Sequence, residues 1–355
     1  MKRAYNFSPG PCGLPDAVME RARDEFLSYR GAGASIMELS HRGAEFMEVY
    51  ENARALLCEL MNIGGDYAVL FLSGGATGAA ASLPMNLIPD ETQTAAYAIT
   101  GHWSLRAANE AKKYCRVHIA ADTGKDYDRL PEGFSAPKDA AYLHYADNET
   151  IHGVEFSQLP RADIPLIADM SSNILSRPVD VSACGAIYAG AQKNLGPTGV
   201  TVVIVRKSLI APRPQTPLVW DYPLQMQNDS MANTPPTFQI YMVSLVLEWI
   251  KEQGGAAEMA RRAEEKSRMI YECIDGGFYC SPVAPACRSR MNIPFFLPDE
   301  KLTESFLQGA AENNMLGLRG HAVLGGCRAS LYNAMPMEGA RTLAEYMRDF
   351  ARRNG

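Results

Sequence analysis

Seven short apolar runs, each set off by a segment long enough for a helix, constrain this 355-residue chain more tightly than any other feature. They occupy residues 68–72, 94–100, 117–121, 140–145, 166–168, 186–189 and 200–205, the last strongly β-branched. Runs that are apolar throughout, instead of at every second residue, suit strands buried on both faces, as in a mainly parallel sheet covered by helices. Helices are expected after Gly74-Gly75 toward Leu87, from Trp103 to Tyr114, and from Tyr241 to Ile274 with an interruption at Gly254-Gly255. An α/β architecture follows.

Farther along, a strand at 291–297, a helix at 301–313, a strand at 327–332 and a last helix starting near Met337 predict a smaller α+β domain. The length exceeds the usual single core, and the expected division is a large domain over residues 16–260 with a small one built from 1–15 and 261–355. Residues 209–236, rich in Pro, Gln and Asn, read as a long excursion, and such loops are usually functional or face a partner.

A net charge of −6 argues against nonspecific nucleic-acid binding, which needs clustered cations to displace counterions. The eight cysteines are scattered, without Cys-x-x-Cys pairs or zinc-ligand spacing, so no metal is expected and the thiols read as reduced in a cytoplasmic protein. The first ten residues reach Ser8-Pro-Gly10 before any apolar run, unlike a signal peptide. No apolar stretch approaches the roughly 20 residues that span a bilayer.

In open α/β sheets ligands collect at the carboxyl ends of the strands, and two of those ends carry chemistry. The run 165–168 stops on Asp169, and the run 186–189 leads through Gly190-Ala-Gln192 to Lys193, with Gly196, Pro197 and Gly199 beyond. Most lysines are solvated surface charges, but one amid small residues at a strand end loses water, which frees its lone pair for imine formation. Asp169 alone reads equally as a helix cap. Together the two match pyridoxal phosphate, whose aldehyde needs an amine and whose ring nitrogen needs a carboxylate.

Ser73-Gly-Gly-Ala-Thr-Gly78 joins a strand to a helix and either holds a phosphate on backbone N–H groups or makes a tight turn. It lacks the Gly-x-Gly-x-x-Gly order of a dinucleotide site, which weighs against a nicotinamide dehydrogenase. Trp103 is core or lies flat on an aromatic cofactor. Thr150 is a turn hydroxyl or a donor to the ring. Ser40-His41-Arg42, Gly320-His321 and Arg328 supply cations for an anionic substrate, arginine being suited to bidentate carboxylate binding.

Phe7-Ser-Pro-Gly-Pro11, Glu38-Leu-Ser-His-Arg42, Pro84-Met-Asn-Leu87, Asn148-Glu-Thr-Ile-His-Gly153, Ala168-Asp-Met-Ser-Ser172, Tyr188-Ala-Gly-Ala-Gln-Lys-Asn194, Asn233-Thr-Pro-Pro-Thr237 and Arg328-Ala-Ser-Leu-Tyr-Asn-Ala-Met-Pro336 together resemble the phosphoserine aminotransferases, from the N-terminus to the last helix. The resemblance implies a fold type I pyridoxal-phosphate enzyme with a seven-stranded sheet, working as a homodimer with active sites at the subunit interface. It implies that Lys193 carries the cofactor as a Schiff base, Asp169 pairs with the pyridinium, Trp103 stacks on the ring and Thr150 contacts its phenolic oxygen. Ala76, Thr77 and Gln192 would hold the cofactor phosphate, joined by Asn233 and Thr234 from the other subunit. Arg328 would grip the substrate carboxylate, and His41, Arg42 and His321 the rest of the substrate. The family pattern often has arginine where this chain has Ala322, so one cation is missing, and Arg319 is a neighbour that could replace it.

The implied reaction is transamination between O-phospho-L-serine with 2-oxoglutarate and 3-phosphooxypyruvate with L-glutamate, in serine biosynthesis. The same chemistry would accept 4-phosphooxy-L-threonine, on a route to vitamin B6. The rival within the fold is a small-amino-acid aminotransferase or a cysteine desulfurase-like lyase. The latter needs a nucleophilic cysteine on a mobile loop, whereas Cys327 is expected in a strand.

Overall fold

The computed structural model describes residues 3–355. Its centre is a seven-stranded sheet of β1 (Tyr67–Leu72), β2 (Thr94–Ile99), β3 (Arg116–Asp122), β4 (Leu143–Ala146), β5 (Leu166–Asp169), β6 (Ala186–Gly190) and β7 (Thr201–Arg206), in spatial order β1-β7-β6-β5-β4-β2-β3. All seven expected strands are present. The pairs β2/β3, β2/β4, β4/β5 and β5/β6 are parallel, while β7 runs antiparallel to both β1 and β6. Six strands therefore share one direction, and their carboxyl ends lie along one edge.

Successive side chains of a strand face opposite sides of a sheet. Along β7, Val202 and Ile204 join one apolar cluster, and Val203 and Val205 another. The first cluster gathers Phe46, Leu57, Ile240 and Leu247 from α2 (Ala44–Met61) and α6 (Thr237–Glu252). The second gathers Ala80, Leu83, Ala107 and Ala111 from α3 (Gly75–Leu87) and α4 (His102–Ala111). Helices on both faces explain why the inner strands are apolar throughout, while the edge strand β3 is mostly exposed or half-buried.

Two helices not anticipated from the sequence precede the sheet, α1 (Asp16–Asp24) and α2. In α2 the buried residues Phe46, Val49, Tyr50, Ala53, Leu56, Leu57 and Met61 recur every three or four positions, the stripe of a helix lying on a core. Residues 209–236 also hold more structure than expected: a turn at Leu218–Trp220 leads into the short α5 (Tyr222–Gln227), whose first turn is capped by Asp221 accepting from the Leu224 N–H at 2.9 Å. A helix of two turns is too brief to leave a readable period.

The C-terminal part contains α7 (Gly255–Ile274), α8 (Glu300–Glu312), α9 (Met337–Asn354) and an antiparallel pair, β8 (Asn292–Phe295) with β9 (Cys327–Ser330). Tyr5–Asn6 pairs in parallel with Met315–Leu316, bringing the N-terminus to this part. A third apolar cluster lies here, with Phe7, Phe295, Phe306, Leu343 and Phe350. Helix α7 bridges the parts: Ala256 and Met259 belong to the first cluster, Ile270 and Ile274 to the third. Among the described residues no helix is long and apolar enough to cross a membrane.

Candidate active site

The shared direction of β4, β5 and β6 sets three chemical groups side by side. Asp169 ends β5 and pairs in register with Tyr188 of β6. Lys193 follows β6 by three residues, and Asn148, Glu149 and Thr150 follow β4. Asp169, Lys193, Asn148 and Thr150, together with Gly75, Ala76, Thr77, Trp103, Gln192, His321 and Arg328, line one cavity of about 380 Å³, while Glu149 is buried outside its lining.

Lys193 is half-buried, and its Nζ donates to Thr150 Oγ1 at 2.6 Å and lies 5.7 Å from the centre of the Trp103 ring. Loss of water pulls its amine down to about 8; Asp169 pushes the other way and Arg328 assists the fall. Near pH 7 roughly a tenth of the amines therefore carry a free lone pair, far more than for a solvated lysine. Gly10 closes over this side chain so tightly that a Cβ there would sit 3.1 Å from Lys193 Cγ.

Asp169 accepts the Ser171 N–H at 2.9 Å, and its charge, after burial, is among the causes that raise the pKa of the Tyr188 hydroxyl. Tyr188 in turn meets His144 Nε2 at 2.9 Å, and burial holds His144 down at about 3, so the imidazole is neutral. The Tyr188–His144 pair on the neighbouring strands brings no charge to the carboxylate.

Glu149, between Asn148 and Thr150, has no role that its sequence context announces. Fully buried, it accepts the N–H groups of Trp103 at 3.0 Å and Ser104 at 2.8 Å, and the Ser104 hydroxyl at 2.6 Å. It thereby caps α4 and fixes Trp103. The carboxylate enters because residue 101 is glycine: a Cβ there would lie 2.3 Å from Glu149 Cδ. Asn148 ties the same segment to the C-terminal part, donating to Asn292 Oδ1 and Ser172 Oγ, both at 2.8 Å.

Trp220, in the 209–236 segment, covers the loop that starts α3. Its Nε1 donates to Ser73 O at 3.0 Å, and Cβ atoms at Gly74 and Gly78 would approach its ring to 3.4 and 3.2 Å. Gly74 also has φ +121°, a conformation that side chains rarely adopt. No local signal marks a tryptophan so far along the chain as a partner of this loop.

The model of the class-V aminotransferases matches residues 4–343. The phosphoserine aminotransferase of Stenotrophomonas maltophilia strain K279a is 50% identical over 362 residues, covering 100% of both chains. The chain belongs to the phosphoserine aminotransferase family. Among solved structures, phosphoserine aminotransferase from Bacillus circulans subsp. alkalophilus superposes with a TM-score of 0.96 at 46% identity over all of both chains. The pyridoxal-phosphate-bound enzyme from Trichomonas vaginalis gives 0.94 at 40%, covering 98% of this chain and 100% of that one. The α/β class and the seven-stranded, mainly parallel sheet are those of this family.

The residues suit the family's cofactor. The donor set pairs an amine of lowered basicity with a carboxylate on the neighbouring strand end, and Trp103 Nε1 and Arg328 Nε are buried without hydrogen-bond partners. Of the site residues named from sequence, Lys193, Asp169, Ala76, Thr77, Trp103, Thr150, Gln192, His321 and Arg328 come together in the cavity. His41, Arg42, Asn233 and Thr234 do not line it. Asn233 Oδ1 accepts from Gln225 at 2.9 Å, and Arg42 and Thr234 are exposed.

Arg319 does not stand in for the missing cation, because both its terminal nitrogens hold Glu304 at 2.7 Å. Cys327 lies in β9 as expected, and burial pushes its thiol up to about 12. Cys12 Sγ donates to Lys193 O at 2.8 Å and is likewise pushed up to about 12 by burial. Neither offers the thiolate that a desulfurase requires.

Proposed function

We propose that the protein transfers the amino group between O-phospho-L-serine with 2-oxoglutarate and 3-phosphooxypyruvate with L-glutamate, using pyridoxal phosphate. The observation that carries this reading is a lysine amine held at about 8, in one cavity with Asp169 and Arg328, in a chain about half identical, end to end, to phosphoserine aminotransferases. The same site would accept 4-phosphooxy-L-threonine, which keeps both anionic groups. The role is serine biosynthesis, with a share in the vitamin B6 route.

When bound, pyridoxal phosphate supplies an aldehyde for the lysine and a ring that accepts the electron pair left at Cα. The residues do the rest. Lys193 Nζ would take the proton from substrate Cα as general base and, as acid, give it to the cofactor's aldehyde carbon on the far side of the amino nitrogen. Thr150 Oγ1 aims that amine. Asp169 opposes the positive ring nitrogen, Trp103 gives a flat apolar wall, and Arg328, buried and donating Nη1 to Thr150 O at 3.1 Å, keeps donors free for the substrate carboxylate. Ala76, Thr77 and Gln192 hold the phosphate at the N-terminus of α3, where unpaired N–H groups favour an anion.

The working unit is a homodimer in which Asn233 and Thr234 of one subunit reach the other's cofactor phosphate, and His41 and Arg42 the substrate. Their position outside the cavity of their own chain supports this, as do the exposed Phe26, Leu27, Met37, Leu218 and Val219. The two-domain division at 16–260 against 1–15 with 261–355 belongs to the same reading, supported by the separate apolar cluster at the C-terminal part. A cytoplasmic location fits the eight unpaired thiols.

A half-reaction of the holoenzyme with O-phospho-L-serine should bleach the near-visible band of the bound cofactor, and 2-oxoglutarate should restore it. A band that borohydride does not abolish, or that phosphoserine leaves unchanged while alanine bleaches it, would remove the assignment. Gly74→Ala should weaken retention of pyridoxal phosphate on dialysis about tenfold, since forcing a side chain into that conformation costs about 1–3 kcal/mol. Unchanged retention would show that this loop does not hold the phosphate.

A further inference from the structure

The cavity carries one more cation than these roles employ. Arg106 stands on α4, one turn beyond Trp103, and lines the same cavity as Lys193 and Arg328. Its guanidinium carbon lies 5.7 Å from the centre of the Trp103 ring. Among the described residues it has no carboxylate partner and no hydrogen bond, whereas Arg319 is spent on Glu304 and Arg213 on the carbonyls of Ile88 and Tyr114. An arginine steadied over an indole face, with all its donors free, is arranged for an anion that arrives from solution.

Depth separates the two arginines of the cavity, neither of which has a carboxylate partner among the described residues. Arg328 is 4% exposed, whereas Arg106 is exposed at the mouth. Also at the mouth is His321, its ring 6.1 Å from that of His102, while the next residue, Ala322, brings no charge. A substrate whose carboxylate reaches Arg328 would leave a second anion near the entrance, where Arg106 is the fixed positive charge that this chain itself provides.

We infer that Arg106 is a specificity-determining residue that binds the distal anion of the amino-acid substrate, a phosphate monoester or a side-chain carboxylate, in the cavity that His321 also lines. The inference rests on the aminotransferase reading above. The planar fork suits two oxygens of either group, and such charge-assisted contacts are worth about 1.5–3 kcal/mol, roughly ten- to a hundredfold in affinity.

Half-reactions of holoenzyme with O-phospho-L-serine, L-glutamate and L-alanine, followed by cofactor absorbance, test it in the wild type, Arg106→Leu and Arg106→Lys. Arg106→Leu should raise the apparent Kd for phosphoserine and glutamate about tenfold or more and leave alanine within about twofold, with Arg106→Lys recovering part of the loss. Competition by inorganic phosphate should weaken in parallel. Equal weakening for alanine would mean that Arg106 acts only by propping Trp103, and unchanged phosphoserine and glutamate binding would mean that it meets no anion; either overturns the proposal. A wild-type enzyme reacting with glutamate but not with phosphoserine would instead sink the phosphoserine reading, and the glutamate-to-alanine comparison would still decide Arg106.

Discussion

Lys193→Ala should lower phosphoserine turnover roughly 10⁴-fold or more, because the amine serves as both covalent anchor and proton carrier. The apoprotein should nevertheless unfold at the wild-type temperature or slightly above. The amine is driven down to about 8 mainly by loss of water, so the fold pays to keep it there, and removing it relieves that cost. Against this stand the bond to Thr150, the attraction of Asp169, the contact with the Trp103 ring and a small void beside Gly10. The comparison belongs in the apo state, since a bound cofactor adds its own stability. The wild-type apoprotein should also capture pyridoxal phosphate faster as pH rises toward 8, because raising the pH strips the proton that blocks the lone pair, and the rate should level above that value. Alanine at 193 should abolish capture. Turnover within tenfold of wild type would show that another amine does the chemistry.

How far such a site can be read in advance depends on whether its parts are local. The inner strands were legible because burial on both faces leaves unbroken apolar runs, as in Val202 to Val205 of β7, whereas the edge strand β3 keeps only Ala120 buried. Lys193 and Asp169 were legible because a strand end and its next few residues form one local unit. Helix α2 carries a clear stripe, yet no apolar run of strand type draws attention to it. Glu149, Trp220 and Arg106 were not legible as partners. Glu149 meets residues 103 and 104, and Trp220 meets residues 73 to 78, across separations that only the packed sheet closes. Arg106 is an ordinary helix arginine until the structure shows that Glu110, one turn on, pairs with Lys113 instead. His41 and Arg42 show the opposite limit, since family likeness gave them roles that one chain cannot display.

Arg177→Met should destabilise the fold by about 3–5 kcal/mol at pH 8, the usual result of stranding one member of a buried pair. Arg177 Nη2 donates to both oxygens of Asp147, at 2.9 and 2.8 Å, with side chains 9% and 1% exposed. Tyr145 and Asn173 also donate to this carboxylate, at 3.0 and 2.6 Å, but neither carries charge. Burial already raises Asp147 to about 6 from its ordinary 3.8, against the pull of Arg177. The folded chain therefore binds the proton more readily than the unfolded one between those values, and this group's contribution to stability falls as pH rises through that window. Without the guanidinium the folded value must climb further, so the loss continues to higher pH. Denaturant titrations at pH 5 and pH 8 should find the variant's penalty larger at pH 8, and Asp147→Asn added to Arg177→Met should recover most of it there. Because Asp147 directly precedes Asn148, Glu149 and Thr150, the damage should also loosen the aim of Lys193, lowering kcat more than it raises KM for phosphoserine. A penalty equal at the two pH values would mean that the lost contacts are packing alone, and that the carboxylate beneath the site does not depend on its counterion.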